Sequence, residues 1–137
     1  MESGTSVLRP TGSRITSTMP ASDMVVYTGT HDNPPVRAWI ERYASAAEKG
    51  RFVRYVGRES PAGELPEFFI RLAMMSAARI AIIPFQDLLG LGNEARMNTP
   101  GTEHGNWGWR LTEGQLTEAG AEHLRDMTGG YGRAPTP

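Results

Sequence analysis

Two short apolar runs and three amphipathic stretches alternate along the chain, separated by polar segments rich in glycine and proline. The first run, Met24-Val25-Val26-Tyr27-Thr28-Gly29-Thr30, is continuously apolar at Val25–Tyr27 and rich in β-branched residues. That composition predicts a strand buried on both faces. It gives way to His31-Asp32-Asn33-Pro34-Pro35. Proline favours an extended residue before it and fits a first helical position, so Asn33 is the expected N-cap of the next helix. Val36, Trp39, Ile40, Tyr43, Ala44 and Ala47 then recur at three- and four-residue steps, predicting an amphipathic helix that ends at Gly50. After a linker from Gly57 to Gly63, a second helical face is made by Leu65, Phe68, Phe69, Leu72, Met75 and Ser76, reaching towards Arg79. Ile80-Ala81-Ile82-Ile83 predicts another buried strand, stopped by Pro84.

Residues 85–111 form a long, glycine-punctuated loop with two tryptophans. Loops beyond about 12–15 residues inside a compact domain are functional or disordered, and the tryptophans favour an ordered one. Thr112-x-x-Gln115 is a capping-box pattern that opens a last helix, with Leu116, Ala119, His123, Leu124 and Met127 on one face. Residues 1–22 show neither period and are expected to be disordered; residues 128–137, rich in glycine and proline, are expected to form a flexible tail. The order coil, β, α, α, β, long loop, α points to parallel βα architecture and an α/β fold. Two strands do not sustain a sheet by themselves. Residues 23–127 are therefore expected to be part of a larger α/β domain.

Composition narrows the function. The chain has 137 residues, the size of one domain, with 14 basic and 15 acidic side chains. No basic stripe is available to offset phosphates, so no nucleic-acid partner is expected. No run approaches the roughly 18 apolar residues of a membrane helix, and no apolar segment follows a basic start, so the expectation is a soluble, cytoplasmic chain without membrane contact. The absence of cysteine excludes disulfides, a thiol nucleophile and thiolate-held metal centres. All basic residues but Lys49 are arginine, which carries no functional weight.

The strongest chemical cluster is His31-Asp32-Asn33. In (β/α) barrels, active sites lie where strands give way to the loops that follow them. An acid there can stabilise positive charge in a transition state, and a neighbouring histidine can bind hydroxyls. The competing reading is that Asp32 and Asn33 merely cap the helix at Pro34. Joining His31, Asp32 and His104 into a metal site finds no HExxH spacing to support it, so no metal is expected. Gly90-Leu91-Gly92-Asn93 superficially resembles a phosphate loop but lacks its lysine, and tight turning is the better account. Trp107 and Trp109 could form a sugar-stacking platform or anchor the loop. Glu94, Arg96 and Asn98 could be a salt-bridged scaffold or donors toward a ligand. His123, on the apolar stripe of the last helix, is expected to be packed.

Taken together, Tyr27-Thr28-Gly29-Thr30-His31-Asp32-Asn33 followed by Trp39, then Ile82-Ile83-Pro84-Phe85-Gln86-Asp87-Leu88-Leu89-Gly90-Leu91-Gly92, then Glu94 to Thr102 and Gly105-Asn106-Trp107, closely resemble the C-terminal part of the amylomaltases. These are bacterial and plant 4-α-glucanotransferases, also called disproportionating enzymes. The resemblance runs from Asp23 to Leu124 without a large gap.

It implies the C-terminal portion of a (β/α)8 barrel: the last two of eight strands with their helices, incomplete on its own because a whole barrel takes about 250 residues. It implies a retaining transfer of an α-1,4-glucan segment to the 4-hydroxyl of an acceptor sugar, with maltooligosaccharides and α-1,4-glucans as partners and no cofactor. Asp32 matches the family's third acid, a transition-state stabiliser that holds the 2- and 3-hydroxyls of the distorted sugar. His31 matches a residue binding hydroxyls of that sugar, and Asn98 matches a substrate contact after the last barrel strand.

The nucleophile and the acid/base belong to motifs that this sequence lacks, so the chain is expected to be inactive alone. The alternative is a non-catalytic fragment that binds α-glucan or complements the other part of a barrel, and exposed barrel strands leave self-association open. Residues 1–22 do not match the family pattern; a frameshift or misplaced start would account for that, and the encoding DNA read in all frames tests it.

Overall fold

The β-branched runs become strands because such residues fit a pleated, packed surface. The structure, a computed structural model, describes residues 5–7 and 23–135. Strands β1 (Thr5–Val7), β2 (Val25–Tyr27) and β3 (Ile80–Ile82) form one sheet in the order β1-β2-β3, with both pairings parallel. Val26 lies opposite Ser6 on one side and Ala81 on the other. β1 corrects the expectation of two strands and of disorder throughout residues 1–22. Three residues are too few to show a period, but two of them are β-branched, and the open edge of β2 offers them unpaired backbone groups. Residues 1–4 and 8–22, on which the rest of that expectation falls, lie outside the described residues.

Parallel strands need a crossover, and between β2 and β3 helices supply it. α1 (Val36–Ala38) runs into a π-helical turn at Trp39–Tyr43; α2 (Ala46–Val56) and α3 (Leu65–Met75) follow. The single helix expected to end at Gly50 is thus two. Ala44 is extended, and Ser45 starts α2 with a reciprocal capping box: its hydroxyl accepts from the Glu48 N–H, while the Glu48 carboxylate accepts from the Ser45 N–H at 2.8 Å. Gly57, at φ 81°, ends α2 instead of Gly50. After β3 come α4 (Phe85–Leu88), 3₁₀ turns at Asn93–Ala95 and Glu113–Gln115, and α5 (Glu118–Gly130). Thr112 opens only the second of those turns; the N-cap of α5 is Thr117, whose hydroxyl accepts from the Gly120 N–H at 3.1 Å.

Helix α3 is the centre of packing. Its Leu65 and Phe69 meet Val36, Ile40 and Phe52, with the Phe52 and Phe69 rings stacked 5.2 Å apart. Ala73 packs on Val26 and Ala78, and Ile70 and Met74 pack on Met127 of α5. Burying one such side chain is worth about 1.5–3 kcal/mol, so this stripe fixes α3 against both the sheet and the helices.

Strand alternation decides the rest. Val26 and Ala81 face these helices, whereas Ile80 and Ile82 lie on the other face and are 48% and 45% exposed. The strands predicted to be buried on both faces are covered on one.

Two further expectations change. Residues 128–133 of the expected tail are held rather than frayed: α5 continues to Gly130, Tyr131 packs against the Ile70–Met127 cluster, and Arg133 donates to the carbonyls of Met74, Ser76 and Ala78 at 2.7–2.9 Å, while residues 136 and 137 lie outside the described residues. The arginine thereby takes up carbonyl groups left free at the end of α3. His123 is on the surface, 3.2 Å from Glu67, because the buried stripe of α5 is narrow and centred on Met127. Among the described residues, no helix is long and apolar enough to cross a membrane.

Candidate functional site

Because β2 and β3 are parallel, the loops that follow them open on the same side of the sheet, where they can meet. Asp87, in the first turn of α4, joins them below the surface. Its Oδ2 accepts from the Thr28 hydroxyl at 2.6 Å and its Oδ1 from the Val36 N–H at 2.8 Å. These bonds hold both ends of the 28–36 loop, and the second one caps α1. Asn33, the expected cap, is used inside the loop: its Oδ1 accepts from the Thr30 N–H and hydroxyl, both at 2.9 Å. Desolvation raises the carboxyl of the 2%-exposed Asp87 above the ordinary aspartate range, and its two hydrogen bonds oppose that rise.

Above this junction the three residues singled out in the sequence come together. Asn98 Nδ2 donates to Asp32 Oδ1 at 2.7 Å, and His31 Nε2 lies 3.4 Å from the same oxygen. The Asn98 N–H donates to the His31 carbonyl at 3.1 Å. The Asp32 and His31 side chains remain 50% and 58% exposed. Asp32 therefore caps no helix; its carboxylate is presented to solvent.

Arg96 fastens the two loops together. It donates to the Asp32 carbonyl at 3.0 Å and the Asn98 carbonyl at 2.9 Å, and its guanidinium lies 5.8 Å from the centre of the Tyr43 ring. Of the two readings for this region, Arg96 takes the scaffold role. Glu94 does too: it accepts from the Gly92 N–H at 2.8 Å, and its carboxyl is held below the ordinary range by its own N–H and that of Gly92. The tight turn of this stretch falls at Gly90, whose φ of 63° lies in the left-handed region that favours glycine, whereas Gly92 has an extended backbone.

Trp107 packs on His31, ring centres 5.2 Å apart, while Trp109 is half-buried farther along. His104 is exposed on the loop, and among the described residues no three His, Asp or Glu side chains gather as metal ligands. Asp87 and the bridging part of Arg96 had not been singled out. The available signal was a lone acid just past β3, and its partners stand 51 and 59 residues away.

An exposed carboxylate flanked by an amide and an imidazole can bind neighbouring hydroxyls in pairs and can stabilise positive charge that develops above it.

A family model described as 4-alpha-glucanotransferase matches residues 9–117, beginning within the segment expected not to match. The chain is 47% identical over 109 residues to a 4-alpha-glucanotransferase of Aquifex aeolicus, covering 80% of this chain and 22% of that one. It is 44% identical over 114 residues to the chloroplastic/amyloplastic 4-alpha-glucanotransferase of Solanum tuberosum, covering 81% and 19%. Among solved structures, it superimposes on the amylomaltase from Streptococcus agalactiae in complex with acarbose with a TM-score of 0.73 and 31% identity, covering 83% of this chain and 23% of that one. The chain thus spans about a fifth of the length of the curated relatives it matches.

Proposed function

The chain belongs to the 4-alpha-glucanotransferase family, and from that premise we propose that it forms one wall of an α-glucan site in the C-terminal portion of a (β/α)8 barrel. The whole enzyme transfers a segment of an α-1,4-glucan to the 4-hydroxyl of an acceptor sugar. The observation that carries this reading is the Asp32–Asn98 hydrogen bond. It unites two motifs 66 residues apart, beyond the same ends of neighbouring parallel strands, in one exposed polar surface.

In a retaining transfer, a carboxylate nucleophile and a carboxylic acid/base stand about 5–5.5 Å apart, and the sugar passes through an oxocarbenium-like transition state. Asp32 holds the 2- and 3-hydroxyls of that sugar and stabilises its positive charge. His31 and Asn98 bind hydroxyls beside it, and Arg96 keeps both loops in register. The nucleophile and the acid/base have no counterpart in this sequence, so the chain by itself does not turn over.

Incubation of the purified chain with maltotriose tests this. No glucose or longer maltooligosaccharides are expected from the chain alone, beside a full-length relative that forms them. Products from the wild type that disappear in Asp32→Asn would overturn the inactivity and keep the site. Products that survive Asp32→Asn would overturn both.

The exposed Ile80 and Ile82 favour a second reading, a fragment that complements the other part of a barrel. Beside them, an open groove of about 1140 Å³ runs between β3, α3 and α5. Sedimentation of the chain alone and with the missing part of a relative separates self-association from complementation.

A further inference from the structure

We propose that Trp107 is a stacking platform for the flat C–H face of a pyranose ring, a binding subsite adjoining Asp32; this rests on the α-glucan reading above. Trp107 has φ 60°, the one non-glycine residue with positive φ among the described residues. Bulky residues avoid this left-handed region, and where one is held there the surroundings impose it. Here the Trp107 N–H donates to the Met97 carbonyl at 2.6 Å and its carbonyl accepts from Arg110 at 2.8 Å.

An anchoring role does not account for this. An anchor buries its ring, yet Trp107 is 52% exposed, while Trp39 and Trp109 are half-buried. Nor does the loop before it need an anchor. Asn106 accepts from the Thr99 N–H at 2.9 Å and donates to the Thr102 carbonyl at 3.1 Å, closing residues 99–106 on themselves.

The strained backbone instead sets the indole against His31, whose carbonyl is bound by Asn98, whose amide in turn holds Asp32. A pyranose has a rim of hydroxyls and apolar C–H faces. The carboxylate, amide and imidazole suit the rim, and an exposed indole suits a face.

The test is titration of the full chain with maltoheptaose and, in parallel, cellohexaose, followed by tryptophan fluorescence and calorimetry. The variants are Trp107→Phe, Trp107→Gly and Asp32→Asn. Glycine accepts the positive φ, so that variant removes the ring without adding strain. Maltoheptaose is expected to shift the wild-type emission saturably. Trp107→Gly should abolish the shift and weaken binding about tenfold, while Trp107→Phe stays within about threefold of wild type.

Binding unchanged in Trp107→Gly but weakened in Asp32→Asn overturns the platform and leaves the family reading standing. Trp107-dependent binding of cellohexaose equal to that of maltoheptaose supports the platform and breaks the α-1,4 assignment. Binding of neither sugar by the wild type overturns the platform.

Discussion

Asp87 and Asp32 both tie the loop after β2 to residues that follow β3, and they do so in opposite settings. Asp87 is buried, and its two carboxylate oxygens each accept from one side of the 28–36 loop. Asp32 is half-exposed, and both of its contacts fall on Oδ1. A buried carboxylate with both oxygens engaged is a fastening. A half-exposed carboxylate with one oxygen engaged leaves the other open to solvent. The two sites should therefore respond oppositely to substitution, with stability lost at one and binding lost at the other.

The largest effect is expected at Asp87. Asp87→Ala leaves the Thr28 hydroxyl and the Val36 N–H without partners in a dry environment, which costs about 2–4 kcal/mol. Asp87→Asn keeps the shape and an acceptor for Val36, and should cost less than about 1 kcal/mol. Urea unfolding of both variants checks this; equal losses would mean that charge rather than hydrogen bonding holds the junction.

The same pair sharpens the comparison through pH. Burial raises the carboxyl of Asp87 in the folded chain, so the folded state binds the proton more tightly than the unfolded one. Its contribution is complete below the ordinary aspartate value and is lost as pH rises through the raised value. Between those two points the wild type should lose stability relative to Asp87→Asn as pH increases. A difference that grows in the other direction would show that the two hydrogen bonds outweigh desolvation, and no difference that they cancel it.

These two aspartates also show what could be read from residues in order. Val25–Tyr27, Ile80–Ile82 and the extent of α3 are local patterns, and they appear where the apolar runs place them. The face of α3 is a correction: it buries Leu65, Phe69, Ile70, Ala73 and Met74 in place of the expected stripe through Phe68, Leu72 and Met75, and Met75 is 62% exposed, because the sheet and α5 meet the helix on its Ile70–Met74 side. The grouping of His31, Asp32 and Asn98 depended on resemblance, because no local period links positions 66 residues apart. The cap on Val36 escaped notice for the same reason: a side chain 51 residues away provides it, and Asn33 turns inward to Thr30 instead. The break at Ala44 had a local signal, Ser45-x-x-Glu48, but an apolar stripe running through it to Ala47 concealed it. Arg133, in a glycine-rich stretch, becomes ordered only because carbonyls at the end of α3 lie within reach.

A smaller change is expected at Trp107. Its left-handed backbone costs about 1–2 kcal/mol that glycine does not incur, so Trp107→Gly should raise stability by up to about 1 kcal/mol after loss of the His31 contact. A gain in unfolding midpoint together with loss of sugar binding would place Trp107 beside Asp32 as a residue kept for its ligand. A loss of stability would place it with Asp87.

Asp32→Asn is expected to change stability least and to separate the two aspartates most clearly. Asparagine retains the Oδ1 acceptor for Asn98, and the position is half-exposed, so the unfolding free energy should stay within about 0.5 kcal/mol of wild type. What asparagine lacks is the negative charge and the second acceptor oxygen. In an enzyme completed by the missing part of a relative, transfer should fall by orders of magnitude, because a charge that stabilises an oxocarbenium-like centre acts chiefly in the transition state. The loss should therefore appear in kcat more than in KM. If KM rose while kcat held, Asp32 would bind hydroxyls equally in ground and transition states, and it would be a substrate contact rather than a stabiliser of charge.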